Sequence, residues 1–237
     1  MAELTAETLA GVRLFRHLPA EERKALAGRC QAHRYAAKQQ IVCHAEESTD
    51  VYFIVSGQVR ATIYSVGGRE VAFRDLGSGE MFGDLSAIDG KPRSANIVAL
   101  ADSFIVSMTA EAFREVLQTH PALAMAALQE LVDLVRGLCE RVIEMSTLGV
   151  KNRIHAELLR LAQREMKDGK TAVISPAPTH ADIASRVSTH REAVTRELNH
   201  LAHIGLLERR TGALCVTDVP TLARMVEEVR HQHIVGG

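Results

Sequence analysis

Tryptophan is absent from this chain, and aromatic residues make up only 4% of it. With 46% hydrophobic residues, the cores are therefore expected to be aliphatic. Long apolar runs are missing as well. No stretch of about 18 apolar residues occurs, which argues against a membrane-spanning helix and a membrane partner. The first residues, M-A-E-L-T-A-E-T-L-A, lack the basic-then-apolar order of a signal peptide, so a soluble, cytoplasmic protein is expected. Only four cysteines are present, Cys30, Cys43, Cys139 and Cys215, and they lie far apart. That spacing fits a reducing compartment better than a disulfide framework. Net charge is small too, at −1. Divided along the chain it is uneven: residues 151–237 hold 13 Lys and Arg against 10 Asp and Glu, and seven of the eleven His. A basic C-terminal part on an acidic N-terminal part permits nucleic-acid binding without requiring it.

The 237 residues fit one large domain or two smaller ones. Leu4 to Arg34 reads as helical, with Phe15, Leu18, Leu26 and Ala27 apolar and Pro19 at the start of a new helix. From Ile41 to Met108 the pattern changes to short apolar runs at 41–42, 51–55, 59–64, 71–74, 97–98 and 104–108. Gly57, Gly67-Gly68, Gly77-Ser-Gly79 and Gly90 punctuate them, which predicts a small antiparallel barrel or roll. Thr109 is a plausible N-cap for a helix to His120, and Pro121 opens the next. In that next helix Leu128, Leu131, Val135, Leu138, Val142 and Met145 are spaced 3, 4, 3, 4, 3. Such a heptad seam predicts helix pairing, most simply a homodimer; packing on its own barrel is the alternative. A helix at Val150–Met166, a turn at Lys167-Asp-Gly-Lys170, a strand at Ala172–Ile174 and a loop at Pro176 and Pro178 follow. The last residues, with His231, His233 and Gly236-Gly237, read as frayed.

Residues 82–95, F-G-D-L-S-A-I-D-G-K-P-R-S-A, carry the densest chemistry. Ile88 to Pro92 has the composition of a tight surface turn. Arg93 and Ser94 after it offer one phosphate a guanidinium fork, a hydroxyl and nearby backbone N–H groups; an ordinary loop with a surface Arg is the alternative. Further on, Thr179-His-Ala-Asp182 can cap a short helix with Ile183, Ala184 and Val187 facing inward. Three residues after Val187 a second helix runs to about His203. Two helices joined by so short a turn make a helix-turn-helix. Leu206-Leu207 and Leu214-Cys215-Val216 around Arg209-Arg210-Thr211-Gly212 then read as a hairpin wing. On the second helix His190, Arg191, Glu192, Thr195 and Arg196 are the exposed N-terminal positions. Arg can take guanine O6 and N7 bidentately, and Glu can accept from the cytosine amino group. Thr189-His-Arg-Glu192 also has the pattern of a capping box, in which Glu192 would bond only the backbone. His190, Thr195 and Asn199 suit phosphate or water better than bases.

These residues together resemble the cyclic AMP receptor protein (Crp/Fnr) family of bacterial transcription regulators, over about residues 12–217. The resemblance implies an α+β chain: an N-terminal cyclic-nucleotide-binding antiparallel β-roll with helices (1–120), a long dimerisation helix (121–147) and a C-terminal winged helix-turn-helix (148–237). The family's phosphate cassette, F-G-E-L…R-S-A, stands here as Phe82-Gly83-Asp84-Leu85 and Arg93-Ser94-Ala95. By that similarity Arg93 and Ser94 hold the cyclic phosphate of cyclic AMP or cyclic GMP and Asp84 the ribose 2′-hydroxyl, with no metal. Arg191, Glu192 and Arg196 match the R-E-x-x-x-R base-reading triad, implying TGTGA-like half-sites in an inverted repeat. The implied partners are double-stranded DNA, a second copy of the chain through helix 121–147, and RNA polymerase. Ligand would shift an allosteric equilibrium about Leu148-Gly149-Val150.

Three departures from the pattern occur. Asp84 is one methylene shorter than the usual Glu. Ser188 replaces the usual turn Gly. An ungapped alignment from Pro121 to Ile154 puts Leu138 and Cys139 where cyclic AMP-activated members use Thr and Ser on the adenine amino group. Either packing holds the base, with loose selection between the two nucleotides, or another molecule fills the pocket. A regulator of this fold with another effector, or none, is thus the alternative. The cysteines do not cluster for an iron–sulfur centre, and for haem only Cys43 and His44 are near, read as a half-buried Cys beside a surface His. A cupin-type enzyme is the third reading; between Ile41 and Met108 only His44 is available for its metal. His200-x-x-His203 is better read as a solvated helix face.

Overall fold

The computed structural model describes residues 4–64, 70–166 and 168–234, and for 231–234 the backbone alone. Gly67-Gly68, Lys167 and Gly236-Gly237 lie outside the described residues. Contacts divide the chain into two compact units, the first ending at Leu134 and the second starting at Val135.

The first unit opens with α1 (Ala6–Ala10) and α2 (Ala20–Ala27), each closed by a glycine. Among the described residues the strands that follow are β1 (Cys30–Tyr35), β2 (Gln40–Val42), β3 (Val51–Ser56), β4 (Gln58–Tyr64), β5 (Glu70–Gly77), β6 (Met81–Phe82), β7 (Asn96–Ala99) and β8 (Ser103–Met108). They form two antiparallel four-stranded sheets, in the orders β1-β8-β3-β6 and β2-β7-β4-β5. A short helix α3 (Asp84–Asp89) separates β6 from β7, and α4 (Ala110–Thr119) follows β8. Thr109 caps α4 as expected, its hydroxyl accepting from the Ala112 N–H. Pro121 then opens the long helix α5 (Pro121–Thr147), which runs across the division between the units.

Two readings of this unit need correction, and a third needs refinement. Cys30 to Arg34 is strand, not helix, because it finds a complete partner: Cys30 pairs Met108 and the ladder runs on to Tyr35 and Ser103. A tertiary partner more than 60 residues away outweighs local propensity. Of the turn expected at Ile88 to Pro92, Ile88 and Asp89 are instead the last residues of α3, which Gly90 ends in the left-handed region (φ 71). Finally, the core here is mostly aliphatic as expected but holds an aromatic cluster. Phe15, Phe53 and Phe113 are fully buried and touch in sequence, with ring centroids 4.8 and 6.3 Å apart.

The second unit contains α6 (Val150–Glu165), β9 (Ala172–Ile174), α7 (His180–Arg186), α8 (Arg191–His203), β10 (Leu207–Arg210), β11 (Ala213–Val216) and α9 (Val219–Ile234). Its antiparallel sheet has the order β10-β11-β9, so the expected wing is a hairpin with one added strand. The core is aliphatic, with Ile154, Leu158, Ile183, Leu198, Leu201 and Leu222 buried. Helix α9, which the sequence reading did not name, is set by Asp218, which accepts from the Thr221 N–H at 2.9 Å, and by Val219, Leu222 and Val226, buried at helical spacing. Among the described residues no helix is long and apolar enough to cross a membrane.

Along α5 an apolar stripe stays open to solvent in the single chain. Leu128, Val135, Leu138, Val142 and Met145 of the expected seam are exposed, while Leu131 is half-buried. Met125, Val132 and Ile143 widen the stripe. An unsatisfied stripe of this length is what a second helix covers.

Candidate functional site

Arg93 is buried to 3% exposure in the first unit, where a lone cation is expensive. Its backbone fixes it: the Arg93 N–H donates to the Glu46 carbonyl, and the Ala45 N–H donates to the Arg93 carbonyl, both at 2.9 Å. The side chain donates from Nε to Ser48 Oγ at 3.0 Å and from Nη1 to the Gly83 carbonyl at 3.2 Å. Its guanidinium lies over the Tyr52 ring, 5.6 Å from the centroid, and Tyr52 stacks on Phe82. Nη2 is buried and makes no hydrogen bond among the described residues. A guanidinium has five N–H donors, so the remaining ones point to an anionic acceptor.

Glycine is required beside it. Gly83 is left-handed (φ 80), and a Cβ there would meet Arg93 Nη1 and the Asp50 carbonyl, each at 2.7 Å. Asp84 begins α3 and is half-buried. Burial raises the pKa of its carboxyl, while its own and the Leu85 N–H groups and the charge of Arg74 pull the other way. Leu85 and Ser94 are exposed. Arg93, Gly83 and Asp84 are thus brought together, and no hydrogen bond ties Ser94 to them among the described residues. Leu138 and Cys139 lie on α5 within the second unit, both exposed.

Ser48 and Tyr52 were not among the expected site residues. The polar run Glu46-Glu47-Ser48-Thr49-Asp50 ahead of an apolar strand was the available signal. Cys43, expected half-buried, is exposed, as is His44. Among the described residues no three His, Cys, Asp or Glu converge as a metal site would require.

The second unit builds the helix-turn-helix from matched local signals. Thr179 and Asp182 form the expected capping box on α7. Val187, Ser188, Thr189 and His190 make the turn, and the Thr189 N–H donates to the Ala184 carbonyl at 3.0 Å. The N-cap of α8 is His190, and it makes no side-chain cap bond. The capping-box alternative for Glu192 is therefore not what forms: the helix starts one residue later, and Glu192 stays exposed. His190, Arg191 and Arg196 are exposed with it. Thr195 is half-buried, its hydroxyl bonded to the Arg191 carbonyl and the His180 ring. Across the wing, Arg209 Nη2 donates to Asn199 Oδ1 at 2.8 Å, a contact the sequence reading did not include.

Ser188 has φ 51, in the left-handed region that favours glycine. Relief of that strain predicts that Ser188→Gly stabilises the protein by about 1 kcal/mol. A rise in the urea midpoint checks it; an unchanged or lower midpoint would mean the Ser188 side chain offsets its strain.

Comparison with known proteins gives the same two parts. The cyclic nucleotide-binding domain family matches residues 32–120, and the Crp-like helix-turn-helix domain family matches residues 152–225. The chain is 30% identical to the cyclic AMP receptor protein of Thermus thermophilus, covering 92% of this chain and 97% of that one. It is 26% identical to the CRP-like cAMP-activated global transcriptional regulator of Mycobacterium tuberculosis, covering 92% and 98%. A CooA variant from Carboxydothermus hydrogenoformans shares the fold, with a TM-score of 0.79, 22% identity, and coverage of 91% and 96%.

Proposed function

From a chain that belongs to the Crp/Fnr family of transcription regulators, we propose a homodimeric regulator that binds cyclic AMP or cyclic GMP and reads inverted TGTGA-like half-sites. One observation carries the effector half: the buried Arg93 with a donor left over. The cyclic phosphate would take Arg93 Nη2, with Ser48 and the Gly83 carbonyl holding the guanidinium in place. Ser94 would add its hydroxyl, Asp84 would accept from the ribose 2′-hydroxyl, and Leu85 would pack alongside. The resemblance assigns Leu138 and Cys139 to the base. Leu138 has neither donor nor acceptor, so packing would hold the base and selection between the two nucleotides would be weak. The same residue favours the second reading, in which another effector serves this fold. No catalytic role is assigned, and RNA polymerase is the proposed further partner.

The open stripe on α5 would be covered by the same helix of a second copy. Two recognition helices would then meet successive major grooves, with Arg191, Glu192 and Arg196 on base edges and His190 and Thr195 near phosphates. Arg196→Ala should cost about 1–3 kcal/mol on the TGTGA repeat and relax selection at one G·C pair. Anisotropy titrations of matched and single-substituted duplexes measure this. Equal weakening on every sequence would assign Arg196 to the DNA backbone instead.

A further inference from the structure

The helix-turn-helix carries a basic corner that base reading by α8 does not use. His180, the first residue of α7, is half-exposed, with Nδ1 2.7 Å from Thr195 Oγ1. Thr195 Oγ1 in turn donates to the Arg191 carbonyl at 2.9 Å. A hydroxyl has a single hydrogen; with it on the Arg191 carbonyl, Thr195 accepts from the ring and His180 Nδ1 carries the proton. In the neutral ring Nε2 is then a bare lone pair, and it has no hydrogen-bond partner among the described residues.

Cations surround this ring. Burial lowers its pKa most, and the charges of Arg209 on β10 and then of Arg191 at the start of α8 act in the same direction, so the ring sits below the usual imidazole range. Asn199 fixes Arg209 from α8. The charged groups of α7 are otherwise engaged. Asp182 accepts from the Thr179 N–H at 2.9 Å and hydroxyl at 2.6 Å, and Arg186 donates to Glu157 of α6 at 2.8 Å. Among the described residues, the charged groups that shift the ring's pKa are Arg209 and Arg191, with no carboxylate among them.

Given the DNA-reading function above, on which this rests, we propose that His180 and Arg209, beside Arg191, seat a DNA backbone phosphate, and that His180 takes up one proton from solvent when the phosphate binds. Phosphate oxygens only accept. A neutral Nε2 lone pair would repel them, whereas the imidazolium donates from both nitrogens. Bound phosphate also offsets the two guanidinium charges that oppose protonation. DNA binding therefore strengthens as the pH falls, and it does so without regard to sequence, because phosphates carry none.

The test is anisotropy of a TGTGA inverted-repeat duplex and a scrambled duplex at constant ionic strength. It is run with saturating cyclic AMP, between about pH 5.5 and about pH 8. For the full-length wild type, Kd should rise with pH on both duplexes, by up to about tenfold per pH unit for each proton taken up, hence up to about a hundredfold for a dimer with one proton per subunit. His180→Gln should lose this dependence yet still bind at the alkaline end, and His180→Arg should bind tightly and flatly throughout. Arg209→Gln should lower the salt slope by about one per subunit. Nuclear magnetic resonance titration of the His180 ring should find its pKa higher with DNA than without. A pH slope shared by wild type and His180→Gln, or a ring pKa unmoved by DNA, overturns the proposal. Loss of TGTGA preference with the pH slope intact on both duplexes overturns the base reading and supports the phosphate seat.

Discussion

Glu157→Gln should destabilise the C-terminal unit by about 3–5 kcal/mol. Glu157 is 1% exposed on α6 and serves three guanidinium groups. Arg186 of α7 donates to Oε1 at 2.8 Å, Arg141 of α5 donates to Oε2 at 3.4 Å, and Arg160 donates to Oε2 as well. Glu144, also buried, takes Arg160 at 2.9 Å and Arg230 of α9 at 2.5 Å. A neutral amide at position 157 would leave three cations facing one another with one anion fewer. The network ties the last turns of α5 to the first helix of the helix-turn-helix, so its loss should also loosen the DNA-reading face. Every Phe and Tyr of the chain lies before Val135, so aromatic fluorescence is blind to this unit. Urea unfolding followed by far-UV circular dichroism is the measurement. A loss under about 1 kcal/mol would show that solvent screens the network.

Arg93→Ala should weaken cyclic-nucleotide binding by about 2–5 kcal/mol, roughly 30- to several-thousand-fold. The same substitution should change the stability of the ligand-free protein far less. It removes two hydrogen bonds, to Ser48 and Gly83, but it also removes a buried charge with a donor left without a partner. A site that is unfavourable until filled is the mark of a binding residue rather than a structural one. Thermal unfolding with and without nucleotide separates the two effects. Equal losses of stability and affinity would make Arg93 a structural residue.

The helix-turn-helix was legible because its signals are local. The Thr179 capping box, small Ala184, the turn and the apolar face of α8 all lie within about 25 residues, and each formed. Glu192 shows how fine the margin is: the Thr189 frame fitted a capping box by pattern, yet the helix begins at Arg191 and leaves the carboxylate exposed. In the first unit the deciding contacts are distant. β1 is a strand because β8 offers it a ladder, and nothing within Cys30–Tyr35 announces that. Arg93 was legible as a phosphate ligand, but Ser48, its partner, stands 45 residues away and left no mark in spacing. α3 was hidden because its end, Ile88-Asp89-Gly90, reads as a turn, while Gly83 opens the helix and makes room for Arg93. α9 was legible and overlooked; Asp218 and the spacing of Val219, Leu222 and Val226 announce it.

Isothermal titration of the purified protein with cyclic AMP and with cyclic GMP tests the central claim most directly. The account predicts saturable binding of at least one of them at one site per chain, abolished or greatly weakened in Arg93→Ala. No binding of either nucleotide to the wild type would contradict it and leave the buried Arg93 to a different anion.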